Sequence, residues 1–184
     1  LAKQHAFIRV HHNASAKNLG GAYRQGLQLA RMHYLTHVNA KNDIMAEELS
    51  KIFACRKQAD IVIPYHLNRN QRSLHRRWLS SGFTAMLNFL SGAKLSYYNH
   101  YILYPKKILQ IESISTSSYA IQAEILINLL SLGHSFVEVG VNSNFVPDKQ
   151  RFSRAFKLKN IWGVSRFLAR QLRKTMLRKI FHKL

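Results

Sequence analysis

The residues best placed to do chemistry are Asn39, Lys41 and Asp43, which share one polar turn. The turn follows a short β-type segment, residues 33–37, and precedes a helix-like run, residues 44–55. Ligands of α/β sheets bind at the carboxyl ends of strands, so the turn is a candidate ligand site. A divalent cation there needs hard, anionic oxygen ligands. Asp43 alone supplies a carboxylate, since Asn39 offers a neutral carbonyl and the Lys41 ammonium repels cations.

The elements that would position this turn follow from the apolar periodicity of the chain. Segments typical of strands alternate with segments of helical periodicity, which predicts a layered α/β fold with a mostly parallel sheet. The predicted strands are residues 7–10, 34–38, 60–65 and 135–141, and residues 96–104 are extended. The predicted helices are residues 20–31, 45–56, 73–91, 118–132 and 157–182. Gly133 is expected to end the fourth helix.

The composition indicates a folded, strongly basic chain. Of 184 residues, 47% are hydrophobic, and 28 Lys and Arg against 8 Asp and Glu give a net charge of +20. That charge predicts an anionic partner, namely nucleic acid, an acidic membrane surface or a phosphorylated substrate. Cys55 is the single cysteine, which excludes an intrachain disulfide and fits a reducing compartment. No apolar stretch approaches the roughly 20 residues needed to span a bilayer.

Several segments, in order, resemble family 2 glycosyltransferases of the GT-A type, close to the dolichol- or polyprenyl-phosphate sugar transferases. They are residues 7–10 with 19–26, 59–65, 95–99 with 103–105, 122–126, 137–139 and 153–156. The resemblance covers roughly residues 7–170 and implies a Rossmann-like, mostly parallel GT-A sheet in residues 1–156. Residues 157–184 are then a basic amphipathic C-terminal helix. The family's first nucleotide-binding units have no counterpart here, so we expect a truncated domain, either a fragment or the product of a degraded gene.

The resemblance gives the polar turn a specific meaning. In the family, an Asp-x-Asp pair holds Mg²⁺ or Mn²⁺ on the sugar-nucleotide diphosphate, and Asn39 and Lys41 occupy the matching positions. We therefore expect a degenerate site at Asn39, Lys41 and Asp43, with no metal cofactor in this chain. Three interpretations stay open: drift without function, a Lys41 ammonium that replaces the metal at the diphosphate, or weak residual metal binding through Asp43.

Two further segments are candidate phosphate-binding sites by resemblance. Arg76 and Arg77 fall where a basic loop of the family covers phosphates, and Ser153 and Arg154 match a Ser-Lys loop that closes over them. Guanidinium groups suit phosphate oxygens because their donors form a fork. The alternative for both segments is a solvated basic surface.

Gln122 and Glu124 match a Gln-x-Glu helix whose side chains line the family's pocket, which makes them candidate catalytic residues. Glu124 adjoins an apolar stripe of its helix, so we expect it to be partly buried. A buried carboxylate requires a partner. That partner is either a nearby Arg, which is a structural role, or the acceptor site.

The predicted C-terminal helix combines an apolar stripe with a basic surface. The stripe consists of Ile161, Val164, Phe167, Leu168, Leu172, Met176 and Ile180. Twelve Lys and Arg residues and no acidic residue follow Asp148. A basic amphipathic helix with Trp162 and Phe167 is typical of a membrane-interface element. We expect membrane contact from Arg170 onward, and the alternative is a helix packed on the sheet.

The activity implied by the resemblance is transfer of a hexose from a nucleotide sugar to a membrane polyprenyl phosphate or related acceptor. We expect this chain to be inactive alone, because the metal clamp and the first nucleotide-binding units are missing. The expected location is cytoplasmic and peripheral, at the inner face of the membrane. One alternative is a basic nucleic-acid-binding protein, which the charge favours but the lack of a recognisable reader motif disfavours. The other is a non-catalytic membrane-interface remnant.

Overall fold

The computed structural model describes residues 2–15, 17–40, 43–109, 114–116, 118–145 and 158–181, and they form a mixed α/β structure. The helices of this part of the chain are α1 (Leu19–Leu29), α2 (Ala46–Ala54), α3 (Leu74–Ser91), α4 (Ile121–Ser131) and α5 (Leu158–Phe181). Its strands are β1 (Tyr34–Leu35), β2 (Ile61–His66), β3 (Tyr104–Pro105) and β4 (Phe136–Val141). Short 3₁₀ turns occur at Arg69–Gln71 and Lys106–Ile108.

The strands form two pairs of opposite kind. β2 and β4 run parallel in a continuous register from Ile61 opposite Phe136 onward. β1 and β3 run antiparallel. An isolated antiparallel bridge between Val62 and Leu103, the residue before β3, sets the two pairs side by side. The expected mostly parallel sheet is therefore present only in part, because the chain through residue 103 runs against its neighbours.

Local capping explains several helix boundaries. Asn18 caps α1 by accepting a hydrogen bond from the Gly21 backbone N–H at 2.9 Å. α3 ends at Gly92, whose φ of 72° lies in the left-handed region that glycine adopts most easily. The predicted role of Gly133 after α4 is confirmed, since it has φ of 82° and its N–H bonds back to Leu130.

Two hydrophobic clusters hold these elements together. The larger one surrounds α4, whose Ile121, Leu126 and Leu129 are buried against residues of β2 and α3. The smaller one lies beneath α2 and includes Ile52 and Val62. Because α4 is apolar on most sides, it serves as the central helix of the fold, which fits its near-complete burial.

The predicted strand at residues 7–10 is wrong. These residues have no strand structure, and Phe7 and Val10 are 81% and 60% exposed. Phe7, Ile8 and Val10 have high strand propensity, but a strand also needs a partner that satisfies its backbone groups. The strand expected at residues 34–38 is shortened to Tyr34–Leu35, because β3 is only two residues long and can pair no further.

Candidate functional site

The described part of the polar turn forms a closed hydrogen-bond cluster beyond the end of β1. The Tyr101 hydroxyl donates to Asp43 Oδ1. Asn39 Nδ2 donates to Asp43 Oδ2 at 3.2 Å and also approaches the Tyr101 hydroxyl at 3.3 Å. Lys41 lies outside the described residues. The structure thus joins two of the three candidate residues and adds Tyr101, which the sequence analysis had not singled out.

This cluster does not fit a divalent cation. Both Asp43 carboxylate oxygens already accept hydrogen bonds, and Asn39 presents its amide nitrogen, which is not a ligand. Mg²⁺ and Mn²⁺ prefer several oxygen ligands, usually with carboxylates among them. Within the described ranges, no group of three or more His, Cys, Asp or Glu side chains could hold a metal ion.

A second cluster lies at the carboxyl end of β2 and centres on two histidines whose rings are in tilted contact. The rings of His66 and His100 are 4.4 Å apart, and Tyr97 and Phe145 pack on His66 at 4.8 Å and 5.1 Å. His66 Nδ1 lies 2.7 Å from Ser143 Oγ. Tyr97 belongs to residues 95–99, one of the segments that resemble the family, whereas neither histidine was singled out as a site residue.

Both histidines are neutral at physiological pH. Burial, then the neighbouring His100, lowers the pKa of His66 from 6.5 to about 3. Burial, then the charge of Arg72, lowers the pKa of His100 from 6.5 to about 4. His100 Nδ1 accepts the Tyr101 backbone N–H at 2.8 Å, while its buried Nε2 meets no hydrogen-bond partner in the described part of the chain.

These two clusters are continuous along one edge of the fold. The Asp43 backbone carbonyl accepts the Asn144 N–H at 3.0 Å, and Ile44 bridges Ser143, the residue that contacts His66. The ring of His100 lies 4.8 Å from that of Tyr101, which contacts Asp43. The ends of β1, β2 and β4 therefore meet where α/β proteins bind their ligands.

Gln122 contacts a histidine that precedes the polar turn. Its Nε2 is 3.3 Å from His37 Nδ1, and His37 packs on the Tyr23 ring at 5.2 Å. Burial lowers the pKa of His37, and the charge of Asp43 opposes that shift. Gln122 is thus linked to the polar turn through its contact with His37, which lies two residues before Asn39.

Glu124 is fully buried and its carboxylate holds one backbone segment. Oε2 accepts the Thr116 N–H at 2.7 Å and the Ser115 N–H at 3.1 Å, and Oε1 accepts Ser115 Oγ at 2.6 Å. Arg170 donates in turn to Ser115 Oγ. These bonds supply the partner that a buried carboxylate requires. This geometry favours the structural alternative, and a catalytic role for Glu124 stays a prediction.

The arginine-rich segment forms an open groove at the start of α3. Arg69, Leu74, Arg77, Trp78 and Ser81 line about 410 Å³ of space. Arg69 Nη2 donates to Ser81 Oγ at 2.7 Å, which fixes one guanidinium at the wall. The candidate Arg77 therefore lines a groove together with Arg69.

Arg72 connects this groove to the histidine cluster. Its guanidinium lies 5.5 Å from the centre of the Phe145 ring, and its Nη1 approaches the Tyr97 hydroxyl at 3.4 Å. Arg76, the other candidate, is half-buried on α3 and does not line the groove. Ser153 and Arg154 lie outside the described residues, so the structure does not bear on them.

The apolar stripe of α5 divides between the core and the surface. Phe167 is fully buried in the large cluster, and Val164 and Leu168 pack against it. In contrast, Trp162 and Met176 are 71% and 57% exposed. Packing against the rest of the fold is thus shown for Val164, Phe167 and Leu168, and membrane contact from Arg170 onward stays a prediction. No helix in the described ranges is long and apolar enough to cross a membrane.

Comparison with known proteins adds no relative to this picture. No family model and no curated protein matches the chain. The assignment to family 2 glycosyltransferases therefore rests on the motifs described above.

Proposed function

We propose that this protein has the GT-A scaffold of a family 2 glycosyltransferase and binds the phosphate of a polyprenyl-phosphate-like lipid without using a metal. By resemblance, the related reaction transfers a sugar from a nucleotide sugar to such a lipid. We propose that this chain does not carry out that reaction alone, because the residues at its polar turn cannot replace the Asp-x-Asp clamp.

The observation that carries this proposal is the composition of the groove at α3. Two guanidinium groups, of Arg69 and Arg77, flank a space that also contains the exposed side chains of Leu74 and Trp78. Guanidinium groups bind phosphate oxygens through paired, charge-assisted hydrogen bonds. An isoprenoid chain attached to that phosphate would cover the adjacent apolar side chains, whose burial is favourable. A free nucleotide could stack its base on Trp78 but has no chain that would cover Leu74 as well.

Calorimetry with a short-chain, water-soluble prenyl phosphate tests this assignment. Arg69→Gln and Arg77→Gln should each weaken binding by about tenfold, the usual effect of losing one charged hydrogen bond. Arg31→Gln, at an exposed position outside the groove, is the matched control. Equal affinity for the prenol that lacks the phosphate, or unchanged binding by both groove variants, would contradict the proposal.

A radiolabelled nucleotide-sugar assay with polyprenyl phosphate in detergent tests the catalytic part. With Mn²⁺ or Mg²⁺ present, turnover should stay at background. Turnover above background would overturn the non-catalytic proposal. Turnover that persists after the metal is chelated would favour Lys41 as a built-in cation at the diphosphate, and turnover that requires metal would favour residual binding through Asp43.

A second candidate function is non-specific nucleic-acid binding, which the net charge of +20 favours. It gives Trp78 a role, because bases stack on aromatic side chains, but it gives none to Leu74. The two candidates differ in how their binding responds to salt.

A further inference from the structure

The outward face of α3 is unusually apolar for a surface helix. Leu74, Trp78 and Leu79 are 68%, 78% and 57% exposed, and Met86 is 40% exposed further along the helix. The opposite face is apolar as well, with Leu87 fully buried in the large cluster. A helix that is apolar on both faces is usually covered on both, and a large exposed apolar patch marks an interaction site.

The charges beside this face indicate what covers it. Arg69 and Arg77 adjoin Leu74 and Trp78 in the groove, and the sequence of α3 contains no Asp or Glu. Tryptophan next to arginine is typical of membrane interfaces, where the indole lies at headgroup level and the cation pairs with lipid phosphates. The face therefore complements an anionic bilayer in both apolar surface and charge.

A second copy of the chain fits this face poorly. In a symmetric dimer the same patch meets itself, which would bring the Arg69 and Arg77 side chains of two copies together. Like charges in a contact cost binding energy, and neither α3 nor the described part of α5 contains a carboxylate to relieve it.

The neighbouring helix extends the same chemistry. α5 packs against α3 and exposes Trp162, with Ile161 and Met176 also exposed, while Arg166 and Arg173 lie on its accessible surface. Since no described helix could span a bilayer, both helices are suited to lie along a membrane surface rather than cross it.

We propose that α3 is the principal membrane-binding element of this protein, with Leu74, Trp78 and Leu79 immersed in the interface of an anionic bilayer. Arg69 and Arg77 then lie at the level of the lipid phosphates, and the groove opens toward the headgroups. Bilayer binding by α3 does not depend on the proposed function, but it supplies the route by which a lipid phosphate would enter the groove.

The two tryptophans of the chain provide the first test. Trp162→Phe leaves Trp78 as the sole emitter, and Trp78→Phe leaves Trp162. With vesicles of equal parts phosphatidylcholine and phosphatidylglycerol, Trp78 emission should shift to the blue and be quenched by lipids brominated on their acyl chains. If only Trp162 responds, α5 alone binds the membrane and the proposal is overturned.

A flotation assay with the same vesicles provides the second test. The triple variant Leu74→Gln, Trp78→Gln and Leu79→Gln should bind about tenfold or more weakly, because three large apolar side chains no longer enter the interface. Glutamine preserves helix propensity and the three positions are exposed, so the variant should stay folded, which circular dichroism checks. The control replaces Val10, Met32 and Met45, also exposed, with glutamine and should bind like the unmodified chain.

The remaining outcomes are decisive as well. Unchanged vesicle binding by the α3 triple variant overturns the proposal. So does a concentration-dependent dimer in sedimentation velocity that the triple variant abolishes while vesicles fail to bind, because a second copy then occupies the face. If Arg69→Gln and Arg77→Gln lose prenyl phosphate binding while vesicle binding is retained, that result would support membrane binding by α3 independently of the lipid-phosphate site in the groove.

Discussion

At the residue scale, the polar turn shows how hydrogen bonds occupy the groups that would otherwise bind a ligand. Asp43 is held by Tyr101 and Asn39, so its carboxylate oxygens are occupied by uncharged hydrogen-bond donors rather than by a cation. The position of the turn could be predicted because polar residues directly follow a strand. Tyr101 could not, because it lies 58 residues further along the chain and only the fold brings it to Asp43.

His66 and His100 should make the free energy of unfolding depend on pH. Burial lowers the pKa of His66 to about 3 and that of His100 to about 4, from 6.5 for both. Below about pH 6.5 the unfolded chain therefore binds protons that the folded chain does not, and stability falls as the pH is lowered. Between about pH 7.5 and pH 5, each histidine should remove about 1–2 kcal/mol from the free energy of unfolding.

Urea titration at the two pH values measures this loss. His66→Gln and His100→Gln should each flatten the pH dependence, even if they lower stability at neutral pH. His12→Gln, at an exposed position, should leave the slope unchanged. Equal slopes for all three variants and the unmodified chain would show that the histidine cluster is not the group that titrates.

At the element scale, two helical glycines have opposite surroundings. A Cβ at Gly163 of α5 would lie 2.8 Å from Ser118 Cβ, so the helix needs glycine there to approach the segment before α4. A Cβ at Gly82 of α3 meets nothing within 4 Å. Alanine is the better helix former at both positions by about 0.5–1 kcal/mol, so only the packing distinguishes them.

We therefore expect Gly82→Ala to stabilise the protein by about 0.5–1 kcal/mol and Gly163→Ala to destabilise it by about 1–3 kcal/mol. Thermal or urea unfolding of the two variants measures the difference. A stabilising Gly163→Ala would mean that α5 does not dock as the structure places it, and would remove the support for its packing against Ser118.

The elements themselves divide into those that local patterns specify and those that need partners. The helix predicted at residues 73–91 is α3 within one residue, since its periodicity and the following Gly92 are local signals. The strand predicted at residues 7–10 is absent, because strand propensity alone supplies no pairing partner. The stripe of α5 was predicted as one surface, yet Phe167 is buried and Met176 is exposed. The stripe is buried only where other helices pack against it, and the sequence of α5 alone does not show where that contact ends.

At the scale of the whole molecule, a net charge of +20 would draw the protein to any polyanion. Charge alone therefore does not distinguish a membrane from nucleic acid, and retention on heparin would be uninformative. The exposed apolar side chains Trp78 and Trp162 do distinguish them. Burial of apolar surface persists in salt, whereas contacts between cations and phosphates are screened.

The two partners should therefore separate when ionic strength is raised on nuclease-treated protein. Binding to a random-sequence oligonucleotide should fall steeply and linearly in log–log form, because each neutralised phosphate releases counterions. Binding to anionic vesicles should fall at first and then level off, since the apolar contribution of α3 remains. Flotation and fluorescence anisotropy across one salt series measure both curves. A vesicle curve as steep as the oligonucleotide curve, with no plateau, would show that only charge holds the protein to the membrane, and the nucleic-acid function would become the stronger candidate.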